Sequence, residues 1–291
     1  MPVLADSATS ARGRTSQLFV VIGAQRTGTN ILREILNTND QIAMLGEVLS
    51  PSPAPAHWDN FCRCLPPGGA LTASFSEAES LLDQYFDFVR YRIRHHWEGH
   101  KKSESHAFGV DIKYNQLTRI APTSWDAASR PFILEYLRSR RATLIHTTRN
   151  VIHCAISTLI ASERNVWHNY DGAVIDRDFR IDVEGCVAYA RTILQDRDAF
   201  LKTIPGFKVV NCCYERLVDD INRAAARGEI PEGSGPLRDI AEALGSMFNF
   251  RYDGRLRKAI NVPYSRLLSN YDILVRRLRD SEFAALVPTL E

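Results

Sequence analysis

The sequence of 291 residues lacks the features of several large protein classes. No apolar run approaches the roughly 20 residues that a helix needs to cross a bilayer, so we expect no transmembrane segment, and only peripheral membrane contact stays open. The formal net charge is only +2, and binding of duplex nucleic acid usually needs a clustered basic face. We therefore expect no nucleic-acid partner, whereas a small anionic ligand is compatible with this charge.

Signals for secretion and for metal binding are also missing. Residues 1–16, "MPVLADSATSARGRTS", are polar and lack the apolar core of a signal peptide, and we expect them to form a flexible tail. A cytoplasmic protein is therefore expected, and its six cysteines are expected to be reduced. The cysteines show no paired zinc spacing. In "HHWEGH" (95–100), adjacent histidines cannot both face one ion from a regular helix. No metal site is predicted.

Short apolar segments alternate with helical patterns along the chain. Such alternation predicts an α/β fold with a parallel sheet and helices on both faces. Residues 17–291 are expected to form a single domain, with a helical and loop insertion around 50–105. Its longest helix should begin at Ser74, where Glu77 completes a capping box. The sheet should have four to five strands, at 18–23, 108–113, 143–148 and 207–214, with a weaker strand at 41–45.

The stretch "LFVVIGAQRTGTNILREIL" runs from the first of these strands through a Gly/Thr turn into a helix. Gly23 and Gly28 stand five residues apart, an arrangement that points backbone N–H groups and a helix N-terminus at an anion. The sheet is therefore expected to be P-loop-like. A nucleotide-binding Walker A loop would need Lys and Ser/Thr where this chain has Thr29 and Asn30. The fixed cation is instead Arg26, whose guanidinium can clamp an oxyanion without a metal.

The same segment, "GAQRTGTNILREIL", resembles the 5′-phosphosulfate loop of sulfotransferases that use 3′-phosphoadenosine-5′-phosphosulfate (PAPS). In that loop a Lys or Arg is followed by Ser/Thr, Gly and two hydroxyl residues. Arg26, Thr27, Gly28 and Thr29 match this pattern, whereas Asn30 stands where the second hydroxyl is usual. The resemblance implies that all five residues bind the cofactor and that Arg26 also acts in catalysis.

Two further segments extend the resemblance. "TTRNVIHCAIS" places Arg149 at a strand end and Ser157 eight residues later, the spacing at which family members hold the 3′-phosphate. Near the C-terminus, "RKAINVPYSRLLSNYDIL" resembles the closing segment of bacterial carbohydrate sulfotransferases, in which a basic residue approaches the same phosphate; here that residue is Lys258. Those relatives often follow it with Gln, and this chain has Ala259. The segment "CCYERL" resembles the family's Tyr-Glu segment, interpreted as structural.

Two charged residues are candidates for the chemistry itself. Glu47 follows the weak second strand, at the sheet edge where open parallel sheets place ligands, and related bacterial enzymes carry their catalytic Glu after the corresponding strand. Glu47 is therefore the predicted general base, the alternative being an ordinary loop carboxylate. Lys113 ends the 108–113 strand and is predicted to act beside the transferred group or, alternatively, in a salt bridge with Asp111 or Glu135. If Glu47 is not the base, Asp111 or His57 comes next.

The three segments together resemble most the bacterial enzymes that sulfate nodulation factors, trehalose and related glycans. The resemblance implies metal-independent, in-line transfer of a sulfuryl group from PAPS to a hydroxyl of a small-molecule or glycan acceptor, a carbohydrate or glycolipid, with PAP as the product. Two alternatives remain: a Mg²⁺-dependent P-loop enzyme similar to a kinase, and a non-catalytic protein that binds nucleotides or anions. The acceptor's identity cannot be read from the sequence, and formation of a homo-oligomer stays open.

Overall fold

A computed structural model gives the fold of most of the chain. The predicted tail at 1–16, residues 97–100 of the histidine-rich segment, and Lys258 lie outside the described residues. The structure describes residues 17–52, 54, 56–65, 74–96, 105–122, 125, 130–165, 167, 178–225, 235–251 and 262–290.

One sheet of five strands organises the fold, and every pair of neighbouring strands in it is parallel. The strand order is β2-β3-β1-β4-β5. All five predicted strands are confirmed, including the weaker one at 41–45, and their ends differ from the predictions by at most two residues. The strands are β1 Gln17–Gly23, β2 Ile42–Glu47, β3 Ala107–Lys113, β4 Thr143–Thr148 and β5 Lys208–Cys213.

Helices connect the strands in the described part of the chain. The predicted start of the longest helix is confirmed: the backbone N–H of Ser74 donates to Glu77 Oε2 at 2.7 Å, and Glu77 N–H donates back to Ser74 Oγ at 3.4 Å. Short 3-10 helices span Tyr114–Gln116 and Ala284–Leu290. The α-helices are α1 Thr29–Thr38, α2 Trp58–Arg63, α3 Phe75–His96, α4 Phe132–Ser139, α5 Val151–Arg164, α6 Val183–Thr203, α7 Tyr214–Ala225, α8 Pro236–Leu244, α9 Tyr264–Leu267 and α10 Tyr271–Arg279.

Helices cover both faces of the sheet, as the alternation predicted. Side chains of consecutive strand residues point to opposite faces, so Val20 and Val21 of β1 enter different clusters. Val21 packs in a core lined by α1, α7 and α8. Val20 belongs to a larger core that includes α3, α4, α5, α6 and α10. Strands buried on both faces explain why these segments are nearly continuous apolar runs.

The carboxyl ends of the three central strands are level with one another. Gly23, the last residue of β1, pairs with Lys113 of β3 on one side and with Thr147 of β4 on the other. The chain turns from β1 into α1 at this point, and the two neighbouring strands of the sheet, β3 and β4, lie on opposite sides of β1. Open parallel sheets bind ligands at such switch points, and the fold therefore places the loop after β1 at the position best suited to a ligand.

An irregularity in β2 sets the position of Glu47. Met44 pairs with Gly109, and the next pair along the strands is Glu47 with Asp111. Between these two pairs β2 advances by three residues and β3 by only two. The extra residue is a β-bulge, which turns the following side chain to the other face. Paired residues of neighbouring strands point to the same face, and the bulge therefore puts Glu47 on the side that carries Asp111 and Lys113.

Candidate active site

The loop after β1 has the backbone shape of an anion site. Arg26 and Gly28 both adopt left-handed conformations, with φ of 66° and 84°. A Cβ on Gly28 would overlap the ring of Tyr214, so only glycine fits at this position. Gly28 is also the N-cap of α1 and has no side chain with which to cap the helix. The first N–H groups of α1 therefore face the loop, where they and the helix dipole favour an anion.

The hydroxyl groups of this loop are engaged within the protein. Thr27 is buried; its Oγ1 donates to Ala24 O at 2.9 Å and lies 3.0 Å from Thr147 Oγ1. Thr29 Oγ1 accepts from Lys113 Nζ at 2.6 Å. Asn30 follows in the first turn of α1 and is half-buried. Any contact of Thr27 with an anion would therefore use its backbone N–H, while its side chain holds the loop in shape.

Two segments that the sequence linked separately to phosphates meet at Arg26. Its Nε donates to Ser157 Oγ at 3.0 Å, and its carbonyl oxygen accepts from Arg149 Nη1 at 2.9 Å. Burial, and secondly the positive charge of Arg149, lower the pKa of the Arg26 guanidinium from its ordinary value. A bound anion would relieve the repulsion between the two guanidinium groups. The loop, the end of β4 and α5 thus present one positively charged surface.

Tyr214, the first residue of α7, holds Arg149 in place. The guanidinium carbon of Arg149 lies 4.3 Å from the centre of the Tyr214 ring, a cation–π contact. In the described part of the chain, Arg149 Nε is buried without a hydrogen-bond partner. Glu215 Oε1 accepts from Asn150 N–H at 3.1 Å and fixes the turn after β4. The segment "CCYERL" joins the end of β5 to the start of α7, and its contact with Arg149 was not foreseen.

A network of charged groups lies at the ends of β2 and β3. Lys113 Nζ donates to both carboxylate oxygens of Asp111, at 3.0 and 2.8 Å, and lies 3.7 Å from Glu47 Oε1. Lys113 and Asp111 are almost fully buried, whereas the Glu47 side chain is 24% exposed. Burial raises the pKa of the Asp111 carboxyl, and the charge of Lys113 opposes that shift. Of the two salt-bridge partners predicted for Lys113, Asp111 is the one found, because Glu135 pairs instead with Arg130 at 3.1 Å.

Two glutamines that the sequence did not single out contact Glu47. Gln25 Nε2 donates to Glu47 Oε2 at 3.1 Å, and Gln116 Nε2 donates to the same oxygen at 3.4 Å. Gln25 directly precedes Arg26, and Gln116 follows Lys113 by three residues. Their closeness in sequence to charged candidates is the only signal that could have found them.

His57, the histidine offered as an alternative base, contacts the protein backbone. Its Nδ1 lies 2.9 Å from Ser50 O, just before α2 begins. Within the described ranges, no group of three or more His, Cys, Asp or Glu side chains is arranged to hold a metal ion. All six cysteines are free. None of the described helices is both long enough and apolar enough to span a membrane.

Comparison with known protein families decides which family the chain represents. The profile described as "Sulfotransferase family" matches residues 18–227, which contain the loop, Glu47, Lys113 and the Arg149 segment. The chain belongs to the sulfotransferase family. Members of this family transfer sulfuryl groups. No curated protein sequence matches the chain significantly.

Solved structures that resemble this sulfotransferase are distant in sequence. The sulfotransferase domain of the Synechococcus PCC 7002 olefin synthase is 14% identical, with a TM-score of 0.37, over 86% of this chain and 79% of that one. A sulfotransferase from Alicyclobacillus acidocaldarius is 14% identical, with a TM-score of 0.38, over 96% of both chains. A mouse sulfotransferase complexed with PAP is 13% identical, with a TM-score of 0.35, over 96% of this chain and 90% of that one. The family assignment rests on the profile match alone.

Proposed function

We propose that this sulfotransferase transfers the sulfuryl group of PAPS to a hydroxyl group of an acceptor and releases PAP. The observation that carries the proposal is the meeting of Arg26, Arg149 and Ser157 at the N-terminus of α1. Arg26 and Arg149 belong to two segments that each resemble a phosphate-binding pattern. They are 123 residues apart in sequence, yet they lie on one surface. A ligand with anionic groups at two separate positions, as in PAPS, suits such a surface better than a single phosphate.

The residues present are compatible with PAPS. Gly28 adopts the left-handed backbone of the loop, with φ of 84°, a conformation that suits loops whose amides turn toward an anion. The guanidinium of Arg149, held by the Arg26 carbonyl and the Tyr214 ring, is suited to the 3′-phosphate. Arg26 and Ser157 would complete the phosphate contacts, with Lys258 added from outside the described residues. PAPS, when bound, supplies the activated sulfuryl group.

Glu47 is the proposed general base. In the transfer, the acceptor O–H gives its proton to Glu47 and its oxygen bonds to sulfur, while the bond from sulfur to the phosphate oxygen breaks and leaves its electron pair on PAP. The side chain is exposed enough to meet an acceptor, and it lies 3.7 Å from the ammonium of Lys113. Lys113 also touches Thr29 of the loop, so its positive charge lies between the proposed base and the cofactor surface. Positive charge at this position would stabilise the developing negative charge.

The proposed acceptor class is supported by the resemblance to bacterial glycan sulfotransferases. We propose a carbohydrate or glycolipid acceptor and a metal-independent reaction in the cytoplasm, with peripheral membrane contact and homo-oligomer formation left to experiment. Binding is tested first by thermal shift with PAP, with ATP plus Mg²⁺ and with GTP plus Mg²⁺. Stabilisation by PAP in the presence of EDTA supports the proposal. Stabilisation only by a nucleotide with Mg²⁺ would favour a kinase-like enzyme instead.

Transfer is tested with ³⁵S-labelled PAPS and a panel of defined acceptors: trehalose, chitin oligosaccharides, a glycolipid and 2-naphthol. In Glu47→Gln, kcat should fall about 10²- to 10⁴-fold because the amide cannot accept the proton, while the Kd for PAP stays within a few-fold. Glu135→Gln is the matched control, since that carboxylate, on α4, pairs with Arg130. PAP binding without transfer to any acceptor would support a non-catalytic protein, and near-normal kcat in Glu47→Gln would place the base elsewhere.

A further inference from the structure

Glu47 is held through one of its two carboxylate oxygens. Oε2 accepts from the side-chain amides of Gln25, at 3.1 Å, and Gln116, at 3.4 Å. Oε1 points to the other side of the carboxylate, where Lys113 Nζ lies 3.7 Å away. The distance to Lys113 is longer than a normal hydrogen bond. The two oxygens of the proposed base therefore have different surroundings.

The direction of the two amide contacts is fixed by chemistry. An ionised carboxylate only accepts hydrogen bonds, so each glutamine must turn its NH₂ group toward Glu47. For Gln116 a second contact gives the same orientation, because its Oε1 accepts from the backbone N–H of Lys113 at 3.0 Å. Gln116 is buried and Gln25 is half-buried, so both amides have limited freedom to turn away. The shorter contact, from Gln25, is expected to contribute more.

We infer that Gln25 and Gln116 are positioning residues that hold Glu47 Oε2 and leave Oε1 to take the proton of the acceptor. Two N–H donors occupy the lone pairs of Oε2 and make it the poorer proton acceptor. The proton then arrives at Oε1, beside Lys113, and the acceptor hydroxyl should approach from that side. This inference rests on the proposed function of Glu47 as the base.

Gln25 also connects the base to the phosphate loop. It is the residue before Arg26, whose left-handed backbone and contacts with Ser157 and Arg149 fix the loop. Gln116 in turn belongs to the short 3-10 helix that follows β3 and Lys113. Glu47 is therefore hydrogen-bonded both to the phosphate loop, through Gln25, and to the 3-10 helix after β3, through Gln116. A change of the loop on cofactor binding would be transmitted to Glu47 through one side chain.

The test uses Gln25→Met and Gln116→Met, which keep the side-chain length but remove the donor. Gln17→Met is the matched control, because Gln17 Nε2 also makes a tertiary hydrogen bond, to Thr143 Oγ1 at 2.9 Å, but at the amino end of β1. With the acceptor found in the ³⁵S screen, kcat should fall about 10- to 100-fold in Gln25→Met and less in Gln116→Met, and the Kd for PAP should stay within a few-fold. In Gln17→Met, kcat should be unchanged.

A second readout is the split between kcat and KM for the acceptor, which a folding defect would not reproduce. Loss of either donor should lower kcat while KM for the acceptor stays within a few-fold, because the donors position the base and do not bind the acceptor, and Gln17→Met should change neither. Placing Gln25→Met in the Glu47→Gln background should cause no further loss of kcat. An unchanged kcat in both Met variants, with Glu47→Gln still inactive, would overturn this inference alone. Near-normal kcat in Glu47→Gln would instead overturn the proposed base.

Discussion

Replacement of Arg149 by Ala tests whether this side chain recognises a 3′-phosphate. The guanidinium is fixed between the carbonyl of Arg26, 2.9 Å from Nη1, and the ring of Tyr214, 4.3 Å away. These contacts leave other N–H groups of the guanidinium for a ligand. PAP and AMP make a suitable pair of ligands because they differ only in the 3′-phosphate. Arg149→Ala should therefore weaken PAP binding much more than AMP binding.

The size of the difference follows from the bonds removed. One charge-assisted hydrogen bond to a phosphate contributes about 1.5–3 kcal/mol, which corresponds to about 10- to 150-fold in Kd. Loss of the bond to the Arg26 carbonyl loosens the loop and affects both ligands, by about 0.5–1.5 kcal/mol. The Kd for PAP should thus rise about 10-fold or more beyond the change for AMP. Arg149→Lys keeps the charge but not the planar fork, and should give an intermediate loss.

Isothermal titration calorimetry of both ligands, without divalent metal, measures these changes. Arg191→Ala is a suitable control, because Arg191 pairs with Glu282 at 2.7 Å on the surface, where both side chains are 46% exposed. The control should leave both Kd values unchanged. Equal fold losses for PAP and AMP in Arg149→Ala would refute the assignment and leave Arg149 with only a structural role in the loop.

Three further predictions concern stability, measured by urea unfolding. Gly28→Ala should lower the free energy of unfolding by at least about 1–2 kcal/mol, because its φ of 84° is strained for alanine and the new methyl group overlaps Tyr214. Lys113→Met should cost about 3–5 kcal/mol by leaving Asp111 buried without its partner, and a second change, Asp111→Asn, should recover part of that loss. Burial lowers the pKa of His146, so below pH about 6.5 the unfolded chain binds a proton that the native chain resists. Stability should therefore fall between pH 7.5 and 5.5 in the wild type and less in a His146→Gln variant.

Most of the fold could be predicted because the sheet is parallel and buried on both faces. Strands in such a sheet are short apolar runs that stand out between amphipathic helices, and four of the five were clear. β2 was the weak one, and its last residues, Leu45, Gly46 and Glu47, are only half-buried around the bulge. A bulge changes which face a side chain occupies without leaving a pattern in hydrophobicity. The sequence therefore located Glu47 near the site but could not give its orientation.

The contacts around the site were less predictable than its members. Arg26, Arg149 and Ser157 were predicted as site residues because charged and hydroxyl residues at a loop and a strand end resemble a known arrangement. Gln25 has no such pattern, since a glutamine is equally common on any half-buried surface, and its function depends on a side chain 22 residues away. Tyr214 was understood only as part of a strand-to-helix turn. Side-chain contacts across strands depend on register and rotamer, which one sequence does not specify.

The position of Lys113 explains a departure that the sequence alone left unexplained. A Walker A loop carries its lysine at the position of Thr29 in this chain. The absence of that lysine was the main reason to disfavour a nucleoside triphosphate as the ligand. In the fold, Lys113 Nζ lies 2.6 Å from Thr29 Oγ1, so the neighbouring strand brings an ammonium group to the same end of the loop. Unlike a loop lysine, this ammonium is buried against Asp111 and faces Glu47 as well. The Lys113 ammonium, placed between the loop and the proposed base, would stabilise negative charge on the transferring group without Mg²⁺. A loop lysine followed by Ser or Thr is instead suited to a nucleotide phosphate that is bound together with Mg²⁺.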